Sequence, residues 1–214
     1  MPAEQIHLVR HGEVFNPQGV LYGRLPGYGL SDLGRKMAQS AADLLLAAER
    51  PVTSLIASPL QRTQQSAEPV AAAFGLEPTL DERVIEPENR FEGKRMTGPG
   101  GALGDLRNWR FLINPWEPSW GEAFGSIATR MLVAIDEAWH GVDSGDVVVV
   151  SHQLPIWMVH RRLAGESLAH DPRRRRCALS SITTLERRGD RFVEVDYRDP
   201  ASGLAAQATD VGAV

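Results

Sequence analysis

The sequence predicts an α/β fold, namely a three-layer α/β/α sandwich with a mostly parallel central sheet, an antiparallel edge and a long lid insertion. Three observations lead to this prediction. Short apolar runs rich in branched residues alternate with longer segments of helical periodicity, which is the pattern of a parallel sheet covered by helices. The last two apolar runs flank a tight turn and favour a hairpin. Residues 84–121 are rich in glycine, proline and tryptophan, which favours a long functional loop.

The first half of the chain contains two strand-then-helix units. Residues 6–9 and 53–57 are short, apolar runs, and we expect both to be buried strands. Ser31 is the expected N-cap of the helix after the first strand. Ser58 and Pro59 are expected to start the helix after the second strand, as N-cap and first-turn proline.

The second half continues the alternation. A helix is expected over residues 123–139, and the valine-rich run at 146–150 has the clearest strand pattern in the chain. Another helix is expected over 154–163. The final strands, at 180–186 and 191–197, flank an Arg-Gly-Asp turn and form the predicted hairpin at the edge of the sheet.

Length and composition indicate one domain. The chain has 214 residues, of which 43% are hydrophobic and 23% are charged, enough for one compact core. We assign residues 1–200 to this domain and place the lid insertion at about 84–121. The aromatic residues of the lid favour a folded segment over disorder. Residues 201–214 are mostly small, and we expect a flexible tail.

Charge and cysteine content exclude several classes of partner. The chain carries 23 Lys and Arg against 27 Asp and Glu, a net charge of −4, so it has no global attraction to nucleic acid or anionic membranes. A single cysteine, Cys177, excludes an internal disulfide framework and fits a reducing interior. No stretch approaches the roughly 20 apolar residues of a spanning helix. We expect a cytoplasmic protein without nucleic-acid or membrane partners. The sequence does not fix the oligomeric state, and a homodimer is one of the options.

Two histidines stand at predicted strand ends. His11 follows the first strand and His152 follows the valine-rich strand. Ligands of α/β sheets bind at the carboxyl ends of the strands, where Arg10, Ser58 and Arg62 are also expected. Guanidinium groups and helix amino termini both bind phosphate oxygens well. The sequence therefore predicts a phosphoryl site at this edge.

The turns at this edge resemble motifs of the histidine phosphatase superfamily, also called phosphoglycerate-mutase-like. The matching segments are Arg10-His11-Gly12-Glu13, Ser58-Pro59-Leu60-Gln61-Arg62-Thr63 and Ser151-His152. The resemblance covers roughly residues 5 to 198. It implies that His11 is the nucleophile that takes the phosphoryl group, and that Arg10, Arg62 and His152 bind its oxygens. A neutral imidazole can perform this attack, so the resemblance implies neither a metal nor another cofactor.

The family also supplies a proton donor for the leaving alcohol, a carboxylate that follows the third strand. Glu86 occupies that place here, and Glu88 is the alternative. A donor beside the arginines must be kept protonated by desolvation. The stretch from Glu86 to Glu92-Gly93 is one residue shorter than the usual family pattern.

The resemblance further implies substrate-binding residues, which we take to be Asn16, Gly23, Arg24, Ser58 and Gln153. Asn16 follows Glu13 by three residues where the family commonly has four. Arg24 belongs to a loop that often lines the pocket, and it either binds a second anionic group or is a surface arginine. Gln153 stands where the family usually has glycine and could offer its side-chain amide.

Two further clusters have competing interpretations. The run Arg173 to Arg176 either binds a second phosphate, a nucleotide or a polyanion, or is a solvated loop, and we expect at most one of its side chains to reach the pocket. Four histidines in the carboxyl-terminal half match no metal motif: His140, His152, His160 and His170. Phosphate-loop and dinucleotide-binding motifs are absent.

The favoured function is a metal-independent phosphomonoesterase that acts on a small phosphorylated metabolite through a phosphohistidine on His11. The alternatives are a cofactor-dependent phosphoglycerate mutase and an inactive phosphate-binding regulatory protein. Mutases must exclude water, and those of the family carry an Arg-His-Tyr-Gly stretch after the acid, whereas Pro87-Glu88-Asn89-Arg90-Phe91 follows Glu86 here. Inactive relatives usually lack the nucleophile or an arginine, and this chain has both. The lid tryptophans either stack on the substrate or pack the lid onto the domain.

Overall fold

The computed structural model of the chain describes residues 2–96, 101–102 and 121–210. Most of the predicted lid, with Trp109, Phe111, Trp116 and Trp120, lies outside the described residues. Within the described ranges, no helix is both long enough and apolar enough to cross a bilayer.

Six strands in the described part of the chain form one mixed sheet. In chain order they are β1 (Ile6–Arg10), β2 (Val52–Ala57), β3 (Thr79–Leu80), β4 (Asp146–Ser151), β5 (Ile182–Arg188) and β6 (Arg191–Arg198). Their order in the sheet is β3-β2-β4-β1-β5-β6. The pairs from β3 to β1 are parallel, whereas β5 is antiparallel to both β1 and β6. The predicted mostly parallel sheet with an antiparallel hairpin at its edge is confirmed.

Among the described residues, four α-helices cover the two faces of this sheet: α1 (Asp32–Ala47), α2 (Gln61–Phe74), α3 (Phe124–His140) and α4 (Gln153–Leu163). Residues of α1 and α2 pack with Val148 and Val150, and residues of α3 and α4 pack with Val147 and Val149. Successive side chains of a strand point to opposite faces. The valine run of β4 is therefore buried on both sides, which confirms the three-layer arrangement.

Helix α1 begins as predicted, and helix α2 does not. The Ser31 hydroxyl accepts a hydrogen bond from the backbone N–H of Gly34 at 2.9 Å, as an N-cap does. The prediction that Ser58 and Pro59 start α2 is wrong, because that helix begins at Gln61 and no side chain caps it. The Ser58 hydroxyl lies 2.8 Å from His152 Nε2 instead.

The tail predicted to be flexible from residue 201 is anchored over its first ten residues. Ser202–Gln207 form a 3₁₀ helix, and Leu204 packs against a cluster that contains Met37 of α1. Beyond this helix, Asp210 enters the site described below. Composition alone predicted a flexible tail, because a stretch of mostly small residues gives no sign of tertiary contacts. In the fold, however, Leu204 packs with Met37 and Asp210 bonds to Arg10, and both of these partners are buried.

Candidate active site

The carboxyl end of the sheet brings the two predicted histidines together. His11 follows β1 and His152 follows β4, and these strands are parallel neighbours with Arg10 paired to Ser151. Their rings lie 5.2 Å apart between centroids, and their residues are 2% and 0% exposed. A local pattern placed each histidine at a strand end, and the register of β1 with β4 makes them contact.

The ring of His11 has one defined tautomer. Its Nδ1 lies 2.7 Å from the backbone oxygen of Gly12. Because a carbonyl can only accept, Nδ1 carries the proton and Nε2 presents a lone pair. Burial lowers the pKa of His11 well below its ordinary value, and the charges of Arg62 and Arg10 lower it further. His11 is therefore a neutral imidazole at pH 7 with its Nε2 available as a nucleophile.

The turn after His11 needs glycine for steric reasons. A Cβ atom on Gly12 would lie 2.3 Å from the backbone oxygen of Gly34, and one on Gly34 would lie 2.0 Å from that of Glu13. The amino terminus of α1 thus packs directly on the turn backbone. The Glu13 carboxylate accepts a hydrogen bond from the hydroxyl of Ser31 and ties the turn to this helix.

His152 is held by one serine and faces one carboxylate. Its Nε2 lies 2.8 Å from the Ser58 hydroxyl, and its Nδ1 lies 3.5 Å from Glu86 Oε2. Burial lowers the pKa of His152 well below its ordinary value, and Arg62 acts in the same direction. The predicted substrate residue Ser58 thus contacts His152 and acts on the site by orienting that ring.

Two buried guanidinium groups complete the centre. Arg10 and Arg62 are each 1% exposed. Arg62 donates to the backbone oxygen of Gly23 at 2.8 Å and lies 4.8 Å from the centre of the Tyr22 ring. The Nε atoms of both arginines and Nδ1 of His152 are buried without a hydrogen-bond partner within the described part of the chain. Such atoms are rare in folded proteins, and a ligand with several oxygen acceptors would satisfy all three.

Arg10 differs from Arg62 because it has an anionic partner. The Asp210 carboxylate accepts hydrogen bonds from both of its terminal nitrogens, and the backbone oxygen of Cys177 accepts another at 2.7 Å. Burial disfavours the charge of Arg10, yet Asp210 outweighs burial and raises the pKa of Arg10 above its ordinary value. Sequence reasoning missed Asp210, since nothing local relates it to Arg10.

The two candidate proton donors differ in exposure. Glu86 is 7% exposed, whereas the side chain of Glu88 is 79% exposed. Burial raises the pKa of Glu86, while Arg62 and Arg175 oppose this rise. A buried carboxyl with a raised pKa beside His152 has the properties of a general acid. Glu88 is surrounded by solvent and pairs with Arg24 at 3.1 Å.

Two of the predicted substrate-binding residues have hydrogen-bond partners within the fold. Both polar atoms of the Asn16 side chain bond to the backbone of Val20, at 2.8 and 3.3 Å, so Asn16 closes its own turn. The Arg24 guanidinium donates to the backbone oxygen of Glu86 at 2.6 Å and pairs with Glu88. Each side chain has a near neighbour in the fold that satisfies it, which the family pattern does not reveal.

Gly23 and Gln153 lie beside the centre in supporting positions. The carbonyl of Gly23 binds Arg62, and a Cβ atom on Gly23 would lie 2.1 Å from Glu92 Oε1. The amide of Gln153 donates to the backbone oxygen of Cys177 at 3.4 Å and accepts from Arg175 at 3.2 Å. Both residues therefore position arginines of the site.

The side chains of the arginine run differ in exposure and partners. The Arg173 side chain is 89% exposed and pairs with Asp171 at 2.8 Å. Arg176 pairs with Glu194. Arg175 is only partly exposed and bonds to Gln153 beside the centre. Periodicity could not single out Arg175, because the run begins in the short 3₁₀ helix Pro172–Arg174 and continues into a loop.

Comparison with known proteins gives a consistent result. A family model described as the histidine phosphatase superfamily (branch 1) matches residues 6–200. The uncharacterized protein Rv0525 of Mycobacterium tuberculosis is 52% identical over 204 residues, which cover 94% of this chain and 100% of that protein. Phosphoserine phosphatase 1 of Hydrogenobacter thermophilus is 30% identical, covering 76% of this chain and 77% of its own length. A probable phosphoglycerate mutase, GpmB of Yersinia enterocolitica, is 31% identical, with 85% and 86% covered.

Solved structures share the fold over most of the chain. The mycobacterial glucosyl-3-phosphoglycerate phosphatase Rv2419c, in complex with inorganic phosphate, superposes with a TM-score of 0.67 at 25% identity. The match covers 90% of this chain and 96% of that structure. Bacillus stearothermophilus YhfR gives a TM-score of 0.75 at 23% identity, with 89% and 95% covered.

Proposed function

The chain belongs to the histidine phosphatase superfamily, and we propose that it is a metal-independent phosphomonoesterase that cleaves a small organic phosphate through a phosphohistidine on His11. One observation carries the proposal. Within the described part of the chain, a buried His11 with a neutral ring lies beside two buried guanidinium groups whose Nε atoms have no hydrogen-bond partner. This combination suits in-line attack on a phosphorus atom whose oxygens are negatively charged.

In the first step, the Nε2 lone pair of His11 attacks phosphorus and the bond to the ester oxygen breaks. Arg10, Arg62 and His152 stabilise the charge on the equatorial oxygens. Glu86 donates its proton to the departing alkoxide, so the alcohol leaves as a neutral molecule. The products of this step are the alcohol, a phosphohistidine and an ionised Glu86.

In the second step, water attacks the phosphohistidine on the same face that the alcohol left. The Glu86 carboxylate takes a proton from this water, and the bond between phosphorus and Nε2 breaks. Inorganic phosphate leaves, His11 is again neutral, and Glu86 is again protonated.

Two relatives support hydrolysis of a phosphorylated metabolite. One is named a phosphoserine phosphatase and the other a glucosyl-3-phosphoglycerate phosphatase, and both match most of this chain. Another relative is named a probable phosphoglycerate mutase, and the alternative function is therefore transfer of the phosphoryl group to a second alcohol. The segment after Glu86 lacks the Arg-His-Tyr-Gly stretch of the mutases, which supports hydrolysis.

The decisive experiment is hydrolysis of p-nitrophenyl phosphate, with a chelator present, by wild type, His11→Ala and the matched control His140→Ala. His140 is a half-exposed helix residue, with 55% of its side chain exposed. We expect turnover by wild type and the control, and a loss of roughly three orders of magnitude or more in His11→Ala. Near-normal turnover by His11→Ala would contradict the mechanism.

A parallel assay separates hydrolase from mutase. Wild type incubated with 3-phosphoglycerate and catalytic 2,3-bisphosphoglycerate should release inorganic phosphate if water is the acceptor. Formation of 2-phosphoglycerate without phosphate release would favour the mutase. Quenching at alkaline pH and ³¹P NMR should detect the phosphohistidine in wild type and not in His11→Ala.

A further inference from the structure

We propose that Arg175 forms a second anion subsite on the leaving-group side of the phosphoryl centre. The substrate is then a phosphate ester whose alcohol portion carries an anionic group of its own, a carboxylate or a second phosphate. This inference rests on the proposed phosphatase function. It specifies in addition that the substrate carries a second negatively charged group.

Arg175 is unusual among its neighbours in sequence because it turns inward. Its Nη1 donates to Gln153 Oε1 at 3.2 Å, and its Nε donates to His170 Nε2 at 2.8 Å. Arg173 and Arg176 have carboxylate partners, Asp171 and Glu194.

The partners of Arg175 do not neutralise its charge. Gln153 is an amide, and burial lowers the pKa of His170 to about 4, so that imidazole is neutral at pH 7. Burial lowers the pKa of Arg175 to about 10, which still leaves a cation. Across the described ranges, no carboxylate oxygen lies within the 4.0 Å of an ion pair from its guanidinium. A partly enclosed guanidinium without an ion pair is suited to bind an anionic ligand.

Arg175 is connected to the phosphoryl centre through one amide. Gln153 follows His152 directly, and its Nε2 donates to the backbone oxygen of Cys177. The same oxygen accepts a hydrogen bond from Arg10. Three hydrogen bonds, through Gln153 and the Cys177 carbonyl, therefore connect the Arg175 guanidinium to an arginine that is proposed to bind the phosphoryl group.

The charge of Arg175 acts on the proposed proton donor. It lowers the pKa of Glu86, as the charges of Arg62 and Arg10 also do. Because Glu86 protonates the leaving oxygen, a cation near Glu86 faces the alcohol portion of the ester. Arg24, the candidate from sequence for a second anion, is already paired with Glu88.

The test uses two phosphate esters that differ in one charged group, 3-phosphoglycerate and glycerol 3-phosphate. Binding is measured by calorimetry on His11→Ala protein, which cannot turn either ester over. We expect tighter binding of 3-phosphoglycerate by roughly 10–100-fold, the range of a charge-assisted hydrogen bond. Adding Arg175→Gln should reduce this ratio to about 1. Adding Arg173→Gln, the matched control, should leave it unchanged.

A second pair, fructose 1,6-bisphosphate and fructose 6-phosphate, distinguishes phosphate from carboxylate as the second group. The pair with the larger ratio of affinities identifies the preferred group, carboxylate or phosphate. A preference for either group supports the subsite. Equal binding within both pairs would overturn the proposal. So would an Arg175→Gln variant that weakens both members of a pair equally, because Arg175 would then bind the phosphoryl group or support the fold. Since binding is measured without turnover, its outcome is independent of the hydrolysis assays.

Discussion

The carboxylate of Asp210 bonds to both terminal nitrogens of Arg10, at 2.6 and 2.8 Å, although the two residues are 200 positions apart in sequence. The tail residue and the proposed phosphoryl group thus share one guanidinium. Asp210 neutralises a buried cation and is itself an anion next to a site for anions. Its removal therefore has opposite effects on stability and on phosphate binding.

We predict that Asp210→Ala lowers the melting temperature by roughly 2–8 °C, because it removes the carboxylate that balances a buried charge. Inorganic phosphate should raise the melting temperature of the variant more than that of wild type, since phosphate can replace the missing carboxylate. Thermal unfolding at several phosphate concentrations measures both effects. The control is Asp190→Ala in the exposed hairpin turn. An equal phosphate response in wild type and Asp210→Ala would contradict competition for Arg10.

Glu86→Gln should affect esters according to their leaving group. For an alkyl phosphate such as glycerol 3-phosphate, we expect kcat/KM to fall by about 10²–10⁴, because the alkoxide needs a proton. For p-nitrophenyl phosphate the fall should be much smaller, since nitrophenolate leaves without protonation. Glu88→Gln is the matched control and should resemble wild type. Equal losses of kcat/KM on both esters would contradict the assignment of Glu86 as the proton donor.

The pH dependence of kcat/KM should have two limbs. Protonation of His11 removes the nucleophile and sets the acid limb, and because burial and the arginines lower the pKa of His11, activity should persist below pH 6.5. Ionisation of Glu86 removes the proton donor and sets the alkaline limb.

Arg62 lowers the pKa of both His11 and Glu86. In Arg62→Gln, both limbs should therefore shift towards higher pH, in addition to a loss of roughly two to four orders of magnitude in rate. The pH profiles of wild type and variant are measured on the same ester. Because the substrate ionises identically in both assays, its ionisation does not affect the difference between the two profiles. Limbs that stay in place or move to lower pH would argue against these assignments.

Gly34→Ala should destabilise the fold by about 2–4 kcal/mol, since its Cβ would lie 2.0 Å from the backbone oxygen of Glu13. The matched control is Gly125→Ala, also near the start of a helix, where the closest atom is a flexible arginine nitrogen at 3.9 Å. That change should be neutral or stabilising by up to about 1 kcal/mol. Urea unfolding measures both. Similar stabilities for the two variants would contradict this prediction, because they would show that the backbone at Glu13 can move to accommodate a Cβ atom at position 34.

Much of the fold was predictable because its signals are local. The valine run of β4, the Ser31 cap and the hairpin turn are each encoded within a few neighbouring residues. His11 and His152 were placed at strand ends for the same reason, and parallel pairing then requires such ends to meet at one edge.

The amino-acid sequence alone predicted the fold class and the family, and it indicated two histidines and two arginines for a phosphoryl site. Only the tertiary structure showed that Asp210 binds Arg10, that Ser58 orients His152, and that Glu86 rather than Glu88 is buried. The physical reason is that these properties depend on contacts between distant segments. Burial, pairing of charges and the resulting pKa shifts arise from what surrounds a side chain in space, and no short stretch of sequence contains that information.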